Sequence, residues 1–271
     1  YDIVNLVGFA WPDHALASWH PRLVLSVRGI AKLEVKLEFE YPKKLLFTEW
    51  ITLKRAKRVV YHSELLKRMF VREYGVSTER WRKVPGALSP DFLEVAEPNA
   101  ARELLGFQGP YILWVGNFRR IKGAKECLRI FNLLKGRNRE LHLVMLGVAG
   151  GPPAEGVRWL PKLDTGAYKR VLAGAAAYIN TSLYESFSLA ALEAASQGVP
   201  PLVSRFAGAS EWLAEEFPEL VIDPRSPEEA AERIEAVLAN PPKPEKLISW
   251  ARRFTGEPLA KAYLRVYEEI L

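Results

Sequence analysis

Two glutamates stand out in the sequence because of where they fall. Glu185 lies in the run Asn180-Thr181-Ser182-Leu183-Tyr184-Glu185-Ser186-Phe187-Ser188-Leu189, between an apolar stretch that reads as a buried strand and a helix starting near Ser188. Backbone N–H groups and the positive end of that helix dipole then point out at the carboxyl edge of a parallel sheet, where phosphates bind in open α/β folds. A carboxylate at Glu185 would sit beside such an anion and accept hydrogen bonds from sugar hydroxyls. Glu193 lies one to two turns into the helix, within reach of the hydroxyls of a ribose. Lys122-Gly123, by itself an ordinary helix start, gains weight only from its spacing to Glu185. Gly147-Val148-Ala149-Gly150-Gly151 lacks the spacing of a phosphate-binding fingerprint and reads as a loop.

The elements that must position these residues follow from hydrophobic periodicity. From about residue 106 short apolar strands (111–115, 141–146, 157–160, 175–181 and 199–203) alternate with helical segments, the pattern of βαβ units on a parallel sheet. Asp164 is expected to cap a helix reaching Ala173, Gly198 to end the helix that carries Glu193, and Ser226-Pro227-Glu228-Glu229 to form a capping box for a helix to Ala239. Residues 1–95 resemble part of a second α/β unit, with strands at 3–7, 23–27 and 58–61 and helices at 47–56 and 63–74. A connection rich in Pro, Gly, Ala and Glu, carrying one short helix capped by Asn99, runs from about 85 to 109. The expected division is a first domain at 1–95, a second at 106–250, and a terminal helix at 251–271 packing back towards the first. Tyr1 opens almost directly on a strand, so sequence before it is expected to be missing.

Composition narrows the function classes. The 271 residues are 49% hydrophobic and 26% charged, which excludes a disordered, collagenous or disulfide-stapled chain. The single cysteine, Cys127, has no partner for an internal disulfide and reads as a small buried hydrophobe. No apolar run approaches the ~20 residues that span a bilayer and no signal peptide opens the sequence, so a cytoplasmic location is expected. His14, His20, His62 and His142 lack metal-ligand spacing, and no Asp-x-Asp pair occurs. A net charge of +6 raises the question of nucleic acid, but no recognition motif supports it. Few glutamines and methionines beside many Arg, Lys and Glu give a thermophile-like bias. Residues 43–83 hold 12 Lys or Arg interleaved with Phe47, Trp50, Leu53, Met69 and Phe70. That stretch suits an anionic membrane surface or a phosphorylated ligand, although a helix pair with a solvated basic face is the simpler reading. Trp114 and Trp159 fit core strands, while Trp11, Trp19 and Trp50 are candidates for lining an acceptor groove.

Glu185 and Glu193, followed by Ala194, Gly198 and Pro200, resemble the E-x7-E motif of retaining GT-B glycosyltransferases, especially glycosyltransferase family 4. Phe206-Ala207-Gly208-Ala209-Ser210-Glu211 is similar to that family's Gly-Gly-x-x-Glu loop, and Val115-Gly116-Asn117-Phe118-Arg119-Arg120-Ile121-Lys122-Gly123 to its G-R-L-x-x-x-K-G segment. The resemblance covers 106–271 well and reaches the start more weakly, through 1–4, 23–29, 56–63 and Val84-Pro85-Gly86.

It implies an α/β protein of GT-B type, with two Rossmann-like domains on parallel sheets, the N-terminal one incomplete. The implied activity is retaining transfer of a hexose from a UDP- or GDP-linked sugar to a glycan, lipid or small-molecule acceptor, with no metal and no other cofactor. By resemblance, Lys122 neutralises the donor diphosphate, Glu185 holds the transferred sugar and Glu193 binds the ribose. Gly116, Asn117, Arg119, Arg120, Ser186, Phe187, Ser188 and Leu189 complete the donor pocket. Arg28 stands where the family commonly has a histidine that touches the sugar, and Asn117 where it usually has arginine, a clamp that Arg119 or Arg120 would replace. Ser186 and Ser188 take the places of glycines. These departures also fit a nucleotide-sugar binding or regulatory subunit that has lost transfer. The expected place of work is the cytoplasm, peripheral to the inner face of the membrane, with no nucleic-acid partner.

Overall fold

The computed structural model describes residues 2–8, 17–37 and 43–271; Trp11 and His14 lie outside them. The chain divides into two compact units, Tyr1–Gly86 with Gly256–Leu271, and Ala87–Thr255.

The first unit is built on four parallel strands, β1 (Val4–Val7), β2 (Leu23–Ser26), β3 (Arg58–Tyr61) and β4 (Trp81–Lys83), in the order β1-β2-β3-β4. Leu23 stands opposite Val4, Val24 opposite Arg58, and Val59 opposite Trp81. Parallel neighbours require crossovers. Helices α1 (Ala31–Leu37) and α2 (Lys43–Arg55) join β2 to β3, and α3 (Glu64–Tyr74) joins β3 to β4. Ser63 caps α3 by accepting the Leu66 N–H at 3.1 Å, and Gly75, at φ 60°, ends it. Ala31 at the start of α1 donates its N–H to the buried Glu49 carboxylate on α2, which also takes the Tyr74 hydroxyl.

The second unit carries β5 (Tyr111–Val115), β6 (His142–Leu146), β7 (Val157–Leu160), β8 (Ala177–Asn180), β9 (Pro201–Ser204) and β10 (Val221–Ile222). All are parallel, in the order β10-β9-β8-β5-β6-β7. Around them lie α4 (Arg102–Leu105), α5 (Ala124–Arg137), α6 (Thr165–Ala173), α7 (Leu189–Ser196), α8 (Ala209–Leu213), α9 (Pro227–Ala239) and α10 (Pro244–Arg252). The chain runs outward from β5 through β7, then returns to lay β8 on the other side of β5. The carboxyl ends of β5 and β8 therefore flank the switch point of a doubly wound sheet, where ligands of such sheets bind.

The last helix, α11 (Gly256–Glu268), packs in the first unit. Leu259, Ala262, Tyr263, Val266 and Tyr267, spaced at three and four residues, lie against a core of Val24, Val60 and Val84. Glu269, just beyond it, is bound by Arg58 at 2.5 Å and Arg82 at 2.6 Å, and these two guanidinium groups hold its carboxyl down near 2.

Two expectations change. The first unit ends at Gly86, not near 95, because Leu88 and Phe92 are buried in the core of the second unit and Leu88 donates to the Phe254 carbonyl at 2.9 Å. Helix α9 runs from Pro227 to Ala239, but the Ser226 side chain makes no capping bond, whereas Asp164 does accept the Ala167 N–H at 2.8 Å. Among the described residues no helix is long and apolar enough to cross a membrane.

Burial gives the first unit opposed titrations. It pushes Glu49 up to about 7 from 4.5, and His62, buried against the Val84 carbonyl, down to about 4 from 6.5. The raised Glu49 value contributes stability that is fully present below pH 4.5 and lost as pH rises through 7. The lowered His62 value works the other way, its contribution being lost as pH falls from 6.5 to 4. Replacing Glu49 by Gln removes the first slope. Denaturant unfolding should show the wild type losing about 3 kcal/mol relative to Glu49→Gln between pH 4.5 and 7; a constant gap would mean that Glu49 does not titrate there.

Candidate active site

The turn after β5 and the loop after β8 meet at the switch point through a glycine. Gly123 has φ 66°, and a Cβ there would fall 1.9 Å from the Thr181 carbonyl oxygen, so only glycine permits the approach. The Thr181 hydroxyl donates to the Gly123 carbonyl at 2.8 Å while accepting the Trp114 indole N–H at 3.1 Å, and Leu183 N–H donates to the Ile121 carbonyl at 2.8 Å. The short 3-10 turn Arg120–Lys122 is thereby fixed against the end of β8.

This contact brings Lys122 and Glu185 together, Nζ to Oε1, at 3.1 Å with both side chains half-buried. The other Glu185 oxygen accepts from the Asn180 amide and the Ser182 hydroxyl, each at 2.8 Å. Its backbone is held as well: Glu185 N–H donates to the Phe206 carbonyl, and Gly208 N–H donates to the Glu185 carbonyl, both at 3.0 Å. Asn180 also donates to the Ser188 hydroxyl at 3.0 Å. Asn180 and Ser182 were not among the residues expected at the site; their signal is the polar pair at the end of an otherwise apolar strand.

Ser188 precedes α7 in the left-handed region, at φ 99°, the only described residue besides glycines to do so. There the family resemblance expects glycine, so the backbone demand survives where the residue type does not. Glu193, on α7, accepts the Tyr168 hydroxyl at 2.7 Å, and burial raises its carboxyl above the usual range, partly offset by that bond. Phe187 is buried against Phe254, so its side chain belongs to the core. Leu189 is exposed.

Asn117 Oδ1 accepts the Arg119 N–H at 3.3 Å and so shapes the turn in which Arg119 and Arg120 are exposed. Gly116 is part of that turn; its carbonyl leaves no room for a Cβ at Gly147, 2.3 Å away. The Gly147 and Val148 N–H groups both donate to the Leu160 carbonyl and are spent within the fold. Arg28 belongs to the first unit, exposed two residues beyond β2. Trp19 and Trp50 are exposed in that unit too.

Residues 99–254, more than half of the chain, match the family model described as Glycosyl transferases group 1. The chain belongs to this family. Among curated relatives of this glycosyltransferase, YqgM of Bacillus subtilis (strain 168), described as an uncharacterized glycosyltransferase, is 23% identical over 266 residues, 92% of the chain and 71% of the relative. A D-inositol 3-phosphate glycosyltransferase of Xylanimonas cellulosilytica is 29% identical over 227 residues, 73% of the chain but only 54% of the relative. The glycosyltransferase thus spans between about half and three quarters of these proteins. Its fold matches sucrose-phosphate synthase from Thermosynechococcus elongatus with a TM-score of 0.75 at 20% identity, covering 99% of this chain and 73% of that one. It matches an alpha,alpha-trehalose-phosphate synthase (UDP-forming) from Burkholderia xenovorans with a TM-score of 0.71 at 14% identity, covering 98% and 73%. The fold is of the GT-B type, with a parallel α/β sheet in each unit.

The strained Ser188 offers a local test. Ser188→Gly should be about 1 kcal/mol more stable than Ser188→Ala, since both lose the hydroxyl but only glycine enters the left-handed region freely. Equal melting temperatures of the two variants would remove the strain.

Proposed function

We propose that this glycosyltransferase moves a hexose from a nucleotide-sugar to a hydroxyl-bearing acceptor with retention of configuration, in the cytoplasm. The observation that carries the reading is the Lys122–Glu185 pair at the switch point, set before the N-terminal end of α7. A departing nucleoside diphosphate gathers negative charge as the sugar–oxygen bond breaks. A fixed ammonium and the helix end stabilise that charge without a metal, and Arg119 or Arg120 supplies the clamp that Asn117 does not. Glu185, oriented by Asn180 and Ser182, accepts hydroxyls of the sugar. Glu193, steadied by Tyr168, takes the ribose. The new bond joins the anomeric carbon to the acceptor oxygen, and the acceptor proton leaves with the diphosphate. A uridine diphosphate donor is favoured over a guanosine one by the UDP-forming neighbour; the acceptor is a glycan, a lipid or a small molecule. A second reading, a nucleotide-sugar binder without transfer, is favoured by Arg28 and Asn117, and turnover over a broad acceptor mixture separates the two.

Calorimetric titration with a nucleoside diphosphate and its sugar conjugate tests the order of groups along the site. Lys122→Ala should weaken both ligands by about 1–3 kcal/mol, as for a charge-assisted contact. Glu193→Ala should weaken both by similar factors, because both carry the ribose. Glu185→Ala should spare the free nucleotide and weaken the sugar conjugate or its transfer; an equal loss of free nucleotide in both carboxylate variants would overturn the order of sugar, diphosphate and ribose.

A further inference from the structure

Helix α2 uses only one of its faces for the fold. Leu45, Thr48, Glu49, Thr52 and Leu53 turn inward and are buried, while Lys44, Phe47, Trp50, Lys54 and Arg55 are exposed. The recurrence at three and four residues draws one stripe along the helix. Phe47 is 61% and Trp50 40% exposed, with ring centroids 6.1 Å apart. Trp19, 67% exposed, is covered on one face by the Arg55 guanidinium at 4.1 Å, and that guanidinium is fixed by its bond to the Ser18 carbonyl at 2.9 Å. Lys57, just past the helix, is exposed as well. The only carboxylate between residues 43 and 57 is Glu49, and it is buried, so the stripe shows cations without a counter-charge of its own.

Three large rings standing in water are not something folding requires. Aromatic side chains with an amphipathic or apolar body prefer the headgroup level of a bilayer, and lysines beside them are drawn to anionic lipid. We propose that the outer face of α2, with Trp19, docks on an anionic bilayer surface, its rings at the acyl boundary and Lys44, Lys54 and Lys57 against the headgroups. Proteins that bind single-stranded nucleic acid stack bases within a charged groove, whereas here the rings stand on the convex side of a helix, which meets a plane. The helix lies on the membrane and does not span it.

Sedimentation of the intact chain with vesicles tests this, using phosphatidylcholine alone and phosphatidylcholine mixed with phosphatidylglycerol. Binding should require the anionic lipid and weaken as salt rises. The triple variant Lys44→Ala, Lys54→Ala, Lys57→Ala should lower partitioning roughly a hundredfold, at about fivefold per lysine. Phe47→Ser with Trp50→Ser should lower it about tenfold and diminish the blue shift of tryptophan fluorescence on lipid addition. All five side chains belong to the exposed stripe or its edge, so unchanged melting temperatures will show that the variants remain folded. Equal binding to neutral vesicles, absence of binding to both, variants that partition like the wild type, or binding of single-stranded RNA with no binding to vesicles would each overturn the proposal.

Discussion

The second unit depends on a place where no side chain fits. At Gly123 the turn after β5 comes so close to the Thr181 carbonyl that a Cβ has no room, and the Thr181 hydroxyl joins both sides by taking the Trp114 N–H and giving its own proton to the Gly123 carbonyl. A hydroxyl that is both donor and acceptor in a buried position is fully used, and losing it would leave two buried polar groups without it. The carboxyl ends of β5 and β8, far apart in sequence, are held in one geometry by this relay. Lys122 precedes the glycine and Glu185 follows the threonine, so the distance between their charges is a consequence of a backbone contact.

The two carboxylates of the site are held differently, and the difference is physical. Glu185 has an amide and a hydroxyl on one oxygen, an ammonium on the other, and its peptide group tied on both sides to the Phe206–Gly208 loop. Its orientation is set before any ligand arrives, the kind of pre-organisation that lowers the entropy lost on binding. Glu193 accepts from the Tyr168 phenol, and burial raises its carboxyl. A carboxylate in such surroundings gains from a hydroxyl that donates to it.

The second unit was largely legible because parallel strands buried on both faces are continuous apolar runs, and 111–115, 175–181 and 199–203 read that way directly. Strand order was not, since periodicity says which segments are strands and not which are neighbours; the switch point emerges only once β8 is seen beside β5. Leu88 and Phe92 lay in a stretch whose prolines and glycines signalled a connection, and two apolar side chains were enough to draw it into the second core. Ser226 had the right spacing for a capping box but not the bond, because spacing cannot report the side-chain torsion. Asn180 and Ser182 were hidden by their polarity, which looks the same in a loop residue and in one that aims a carboxylate. Ser188 carries the conformation expected of a glycine without the glycine, so sequence comparison finds the departure and only the backbone shows that the constraint is still met.

Helix α2 shows how far folding alone accounts for a sequence. Its inner face satisfies the first unit completely: Leu45 and Leu53 fill the core, while Glu49, costly to bury, receives the Ala31 N–H and the Tyr74 hydroxyl. Nothing on that face asks for Phe47 or Trp50, which make their contact with each other instead of with the core. An ordinary solvated helix would place lysine, glutamate or alanine there, with both signs of charge interspersed. The outer face has lysines, arginine and rings, and the helix's one carboxylate has been taken inside. Apart from Arg55, which binds the Ser18 carbonyl and covers Trp19, the fold leaves the outer half unexplained, and among the described residues its apolar rings stand beside lysines with no exposed carboxylate on the helix, a combination that suits a surface both apolar and anionic.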